Sequence, residues 1–351
     1  MELMKGSLKT FLNAMTFPDK TMYPVASRNK KDLFNLMNVY LDAVFFPKIT
    51  KETFMQEGWH YELESMDSEI TYKGVVFNEM KGAMSTPTSQ VAQVLQSFLF
   101  PTTTYHNNSG GDPASIPNLT HADLKAFHTR HYHPSNAVFM TYGNFPPEEH
   151  QERIEQLALS RFGEQLVTIE VGDEVRFSKP ITEEGKYATH DTELSEKTHI
   201  VLGWLMHKTT DAVANMEARI LAGVLLDNSA SPIRRALETS PLGTAPSELC
   251  GLDDSSREAT FVCGLEGCNP AQASEVEALI LETLEKVATE GIPDETATAV
   301  IHQVELGQRE IGGGFPYGLQ LMIRALSPAL YGGDPMEALD IEPVLENLRQ
   351  R

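Results

Sequence analysis

Apolar residues recur at three- and four-residue spacing through most of this chain and alternate only in short stretches, so helices are expected to outnumber strands. Over 32–46, DLFNLMNVYLDAVFF places Leu33, Met37, Tyr40, Leu41, Val44 and Phe45 on one stripe, and Pro47 stops the helix. A second helix is predicted over 50–61 from a Thr cap, and a third carries Glu79 and ends near Pro87. Helical spacing restarts over 89–100 and again over 119–131, where THAD has the form of a capping box with Asp at its last position. NAVFMTYGNF, 136–145, reads as the best strand of the first half, and a further helix runs from Pro146 to about 162. The second half restarts this grammar with a strand over 198–206, helices over 211–226 and 232–238, and strands near 245–252 and 259–266. A helix over 270–290, closed by Gly291, stripes Val276, Leu279, Ile280, Leu284, Val287 and Ala288 along one side. Three more helical stretches complete the chain.

Between the halves the chain turns polar and charged, with room for one or two short strands. At 351 residues it is too long for one average core. The expected division is a first domain over 1–165, a connection over 166–194 and a second domain over 195–351. Both domains have the order of an α+β unit, as a duplication would produce.

Composition narrows the function classes. A hydrophobic share of 41% with 22% charged residues belongs to a soluble globular chain and excludes disorder. The longest apolar run, 200–206, is far too short to span a bilayer, and the first fifteen residues lack a signal-peptide pattern. A formal charge of −21 argues against nucleic-acid binding; it suits either solubility or the attraction of basic peptides. Cys250, Cys263 and Cys268 form no zinc-ribbon spacing, and their sparse use fits a reducing compartment.

Three stretches carry candidate chemistry. In YKGVVFNEMKGA a helical register groups Tyr72, Val75, Val76, Glu79, Gly82 and Ala83, which sets a carboxylate on an apolar face. A buried carboxylate is costly unless paired, protonated or bound to a metal. Two accounts stay open: a helix-boundary acid bonded to a nearby Lys or amide, or a metal ligand. HTRHYHP brings His128, His131 and His133 together in sequence, but a helix end before Pro134 separates them, so satisfied or exposed histidines are expected rather than a site. FLNAMTFPDKTMYP, 11–24, is either a core strand or an edge that offers its backbone to a ligand. HExxH, HxxEH, P-loop, GxGxxG and GxSxG motifs are all absent from the sequence.

Taken in order, SLKTFLNAMTFPDKTMYPVASRNKKDLFNLMNVYLDAVFFP, QEGWHYELE, YKGVVFNEMKGA, SGGDP and HTRHYHPSNAVFMTYGNF resemble the presequence-protease branch of the insulinase/pitrilysin zinc metallopeptidases. LLDNSASPIRRALETSPLGT is similar to the second domain of that branch. The resemblance implies two homologous α/β sandwich domains, each a mostly antiparallel sheet covered by helices, from a chamber-forming peptidase of short unfolded peptides. In that family HxxEH supplies two zinc ligands and the water-activating glutamate, and a downstream glutamate, matched by Glu79, is the third ligand. Asn13 and Ala14 match residues beside the bound peptide, and Thr21 and Tyr23 lie on the edge that pairs with substrate.

The chain departs from the family pattern by lacking HxxEH. The resemblance then implies a first domain incomplete at its N-terminus, no catalytic residues, no tight Zn²⁺ binding and no peptide hydrolysis by this polypeptide alone. An exposed sheet edge is expected, and a buried Glu79 that is protonated more readily than usual or borrows a nearby cation. The implied partners are unfolded peptides and either a C-terminal half or a partner chain; no nucleic acid or membrane is expected. A non-catalytic partner subunit of a two-chain peptidase is the alternative reading, and a metal module on His128, His131 and His133 a third. The compartment stays open between a bacterial cytoplasm and an organelle matrix.

Overall fold

The computed structural model describes residues 6–165, 169–189, 193–312 and 315–349. Contacts sort the chain into two units, Met1–Ser85, Asn107–Val171 and Gly312–Leu326 against Thr86–His106, Gly172–Ile311 and Ser327–Arg351. The grouping follows packing rather than chain order, and the second unit therefore takes in 86–106.

The first unit opens with four short strands, β1 (Lys9–Leu12), β2 (Met15–Thr16), β3 (Thr21–Met22) and β4 (Val25–Ser27). Helix α1 (Lys30–Phe45) starts where the Asn29 side chain accepts the Asp32 N–H at 3.0 Å. Helix α2 (Lys51–Glu57) is capped by Thr50 and ends at Gly58, short of the predicted 61, because the next residues form strand β5 (His60–Glu62) against β6 (Thr71–Lys73). Helix α3 (Val75–Ala83) follows at once. Further along the unit, helix α5 (His121–His131) forms both halves of its capping box, through Thr120 and Asp123. Helix α6 (Pro147–Leu157) closes on α1: Leu41 and Phe45 bury against Ile154 and Ala158. The Arg161 guanidinium lies 3.4 Å from the centroid of the Phe46 ring, at the border of this cluster, and that of Arg153 lies 4.4 Å from the centroid of Phe34. One prediction is corrected: 136–145 is not a strand. Its residues have strand composition, but among the described residues no partner strand lies beside it, and without a ladder it stays irregular after a 3-10 turn at Pro134–Asn136.

In the second unit, α4 (Pro87–Leu99) packs on β7 (Thr198–Lys208) over Gly203. Leu95 and Leu99 lie 2.9 and 3.2 Å from where a Cβ at 203 would sit, so glycine leaves room for both leucines against the strand. Helices α7 (Ala212–Leu226) and α8 (Pro232–Thr239) precede β8 (Ala245–Pro246), β9 (Gly251–Asp253) and the long β10 (Glu258–Cys268). The sheet runs β7-β10-β8 with β9 also on β10, and every pairing is antiparallel. Phe261, Cys263 and Leu265 alternate on one face of β10 and pack with Val276 and Ile280 of α9 (Ala273–Glu290) and Ile233 and Leu237 of α8. Helices α10 (Asp294–Arg309) and α12 (Glu342–Arg349) also belong to this unit, whereas α11 (Tyr317–Tyr331) has its residues up to Leu326 in the first. Cys263 and Cys268 are fully buried in this core, and burial pushes both thiols up, Cys268 to about 11, so they serve as small hydrophobic residues.

The stretch predicted as a polar connection contains no strand among its described residues. Side chains hold it instead. Glu174, 5% exposed, accepts hydrogen bonds from the N–H groups of Thr102, Thr103 and Val175 and from both threonine hydroxyls. Its own N–H donates to Glu258 at 2.7 Å, and Arg176 reaches the other oxygen of Glu258 at 2.6 Å. Asp173 next door takes Arg257 at 2.7 Å and Lys208 at 2.5 Å. Together they clamp 173–176 to the ends of β7 and β10.

The architecture is thus α+β with antiparallel pairing throughout, as expected, though the first unit has two-stranded ribbons rather than a broad sheet. Among the described residues no helix is long and apolar enough to cross a membrane.

Candidate functional site

The four N-terminal strands are one hairpin. Leu12 faces Val25, Met15 faces Met22 and Thr16 faces Thr21, all in the same register. Two further bonds lie in that register, Phe17 N–H to Lys20 C=O at 2.8 Å and Asn13 N–H to Pro24 C=O at 3.2 Å. The ladder lapses between the strand pairs because Pro24 has no N–H to return. In antiparallel pairing, alternate residues turn their N–H and C=O toward the partner. Asn13, Met15 and Phe17 do so on one side, and Lys20, Met22 and Pro24 on the other. The backbone groups of Thr21 and Tyr23 therefore point to the outer edge, with which no strand pairs among the described residues.

Of the other residues singled out from the sequence, Asn13 and Ala14 lie exposed where the ladder lapses. The Asn13 side chain accepts the Ala14 N–H at 2.9 Å, and the Asn13 carbonyl accepts the Tyr40 hydroxyl at 3.1 Å. Tyr40 thus ties the ribbon to α1. Sequence reasoning placed Tyr40 only on the apolar stripe; the hint it offered was its hydroxyl, which a buried tyrosine has to satisfy. Tyr23 meets a second residue that the sequence did not flag. Its hydroxyl lies 2.8 Å from that of Tyr132, and burial together with this bond pushes the Tyr23 phenol well up.

Glu79 sits on α3, whose start depends on Gly74. That residue has φ 155°, and a Cβ on it would overlap the Gly58 carbonyl oxygen. The close approach lets the Phe77 N–H bond the same oxygen at 3.3 Å. The apolar face expected to be buried is exposed instead: Tyr72 and Val75 are each 44% exposed, Val76 39%, and Glu79 shares their exposure. Phe77, 7% exposed, is the residue that α3 buries, with Met80 turned against the Gly110 loop. Spacing identifies which residues share a face; the Gly58–Gly74 contact decides which face turns inward. Glu79 makes no side-chain hydrogen bond or ion pair among the described residues, so burial gives it no need of a partner.

The histidines do not converge either. His128 Nε2 bonds the Val44 carbonyl at 2.8 Å, His131 stacks on Phe127 at 4.2 Å, and His133 bonds Ser135 and the Gly163 carbonyl. Two turns before His128, His121 Nε2 bonds the Ile49 carbonyl at 2.6 Å, so α5 uses histidines to pin the chain after α1. Among the described residues no three His, Cys, Asp or Glu side chains are grouped to hold a metal ion. Glu79 by itself is one solvent-facing carboxylate, short of the ligand set that zinc takes, and the described residues bring no such set together. What the site does offer is an open strand edge, backed by aromatic residues, that can hydrogen-bond an extended backbone.

Antiparallel ribbons with helices in one unit, and an antiparallel sheet layered by helices in the other, define an α+β protein. Residues 118–304 match the sequence profile of the peptidase M16 inactive domain, and the chain belongs to the M16 peptidase family. It is 42% identical to presequence protease 1 of Arabidopsis thaliana, an alignment covering all of this chain and 33% of the relative. It is 39% identical to the protein HypA of Clostridium perfringens, covering 99% of this chain and 36% of that one. The chain thus spans about a third of the length of the curated relatives it matches. Among solved structures, the peptidase M16 inactive domain from Pseudomonas fluorescens superposes with a TM-score of 0.64 at 11% identity, over 97% of this chain and 74% of that one, a likeness of fold.

Proposed function

We propose that this chain is part of a zinc-dependent metalloendopeptidase that degrades short unfolded peptides of the targeting type inside a closed chamber. Its family role as a peptidase rests on the relatives; its own share is substrate capture along β3 and one distal zinc ligand, Glu79. The observation that carries this reading is the free outer edge of Thr21 and Tyr23, set in a segment alike to presequence proteases along its whole length. The exposed apolar face around Glu79 supports it, because a carboxylate that faces outward is available to a metal completed by residues that this chain does not group. Residues 1–165 and 195–351 act in this reading as two repeats of the family's domain joined by 166–194, and an unpaired edge of this kind favours association with a second half or chain. Three free cysteines suit a reducing compartment such as a bacterial cytoplasm or organelle matrix.

The chain alone is inactive in this reading. Purified 1–351, incubated with a quenched fluorescent peptide and zinc, should give no cleavage above a heat-killed sample, and zinc retained after desalting should be far below one per chain. Chelator-sensitive cleavage would overturn the assignment of inactivity. Stoichiometric zinc that survives Glu79→Gln would overturn the role of Glu79.

A further inference from the structure

We propose that Tyr132 is a positioning residue for extended peptide bound on the outer edge of β3, and that it acts through Tyr23; this rests on reading that edge as peptide-binding. The backbone of Tyr23 faces the open edge at the point where the ribbon is weakest. The following residue, Pro24, cannot return a hydrogen bond to Asn13, so the ladder does little to hold Tyr23 in place. Its side chain compensates. The hydroxyls of Tyr23 and Tyr132 lie 2.8 Å apart, and the rings meet edge to face at 6.4 Å between centroids.

Tyr132 is itself well fixed. It caps α5, with its N–H on the His128 carbonyl at 2.9 Å, and its ring stacks on that of His128 at 4.5 Å and 18°. His128 in turn bonds the Val44 carbonyl at the end of α1. A path of direct contacts therefore runs from the α1 terminus through His128 and Tyr132 to the edge strand. The chemistry of the pair also matters. Two phenols that share one hydrogen bond keep one O–H over, since each hydroxyl has a single proton. Either hydroxyl can donate in the shared bond, so the spare proton has no fixed place; what the pair does is hold Tyr23, whose backbone faces the open edge and can meet an extended peptide. The ligand this favours is any peptide with an extended main chain, with little dependence on its sequence.

The test uses the full chain and fluorescence anisotropy with a fluorescein-labelled basic peptide that lacks secondary structure. Tyr132→Phe keeps the ring on His128 and removes only the hydroxyl. Affinity should fall about three- to ten-fold, the range for one neutral hydrogen bond. Tyr23→Phe should lose a similar factor, and the double variant should lose no more than either alone, because both remove the same bond. A purely structural hydroxyl would lower the thermal midpoint and leave the affinity of the folded chain unchanged. Wild-type affinity in Tyr132→Phe, or losses that multiply in the double variant, would overturn the proposal while leaving the edge reading intact. Failure of the wild-type chain to bind would overturn the edge reading, and the proposal with it.

Discussion

Replacing Glu174 with Gln should loosen the clamp on the second unit, and its cost follows from the donors around the carboxylate. One oxygen accepts the Thr102 and Thr103 N–H groups at 3.1 and 3.0 Å and the Thr103 hydroxyl at 2.9 Å. The other accepts the Thr102 hydroxyl at 2.5 Å and the Val175 N–H at 2.8 Å. A glutamine oxygen keeps the first set with neutral rather than charge-assisted bonds. Its NH₂ then faces the second set, where the Thr102 hydroxyl can rotate to accept but the Val175 N–H cannot. One buried N–H left without a partner costs about 1–3 kcal/mol, and the weakened bonds add to that, for a total of about 3 kcal/mol. For a unit of this size the thermal midpoint should fall by about 6–12 °C. The pH dependence is a sharper test. Burial pushes the Glu174 carboxyl up, but the bonds from Thr102, Val175 and Thr103 outweigh it, and the group is held below the ordinary glutamate value of 4.5. A depressed folded value means that the contribution is complete at neutral pH, fades as pH drops below the ordinary value, and is gone below the folded one. Circular-dichroism melts from about pH 7 to about pH 3 should therefore show the gap between wild type and Glu174→Gln closing with acid. Asp173, held low by Lys208 and Arg257, will leave the variant some acid sensitivity of its own. Equal midpoints at neutral pH, or a gap that persists unchanged in acid, would refute the reasoning.

The orientation of α3 can be checked by comparing its two faces: Val75→Ser and Val76→Ser should each change stability by less than about 0.5 kcal/mol, and Phe77→Ala should cost about 3–5 kcal/mol, in chemical denaturation. A costly Val76→Ser would restore the buried face that spacing alone implied. Gly264→Ala should damage the second unit severely, because a Cβ there would overlap the Ile200 carbonyl across the β7–β10 pairing; soluble yield and melting midpoint report it. Truncating Ile233, fully buried between the β10 face and α9, to Ala should cost about 2–5 kcal/mol in the same denaturation assay.

Much of this protein is local physics that one chain segment expresses by itself. The stripe over 32–46, the Thr120–Asp123 capping box, the Asp211 cap of α7 and the Gly291 stop of α9 all form within a turn or two of the residues that encode them. The stretch 11–24 could be read as either a core strand or an open edge; its register, and hence which backbone groups face outward, depends on pairings such as Asn13 with Pro24 across the turn. Residues 136–145 have strand composition and no ladder, since a strand exists only beside another strand. Glu79 shows the same division. Its company on one helical face could be read from spacing, and its proposed role from likeness to a family, while its exposure goes with a backbone contact between Gly58 and Gly74, which spacing does not show. Tyr40 on Asn13, Tyr132 on Tyr23 and Glu174 on Thr102 are likewise pairs separated by tens of residues, and no periodicity carries them. The sequence by itself determined the helices, their caps and the family; tertiary structure decided which faces are buried, which edges stay open and which hydroxyls meet, because those depend on contacts that exist only once distant segments have packed.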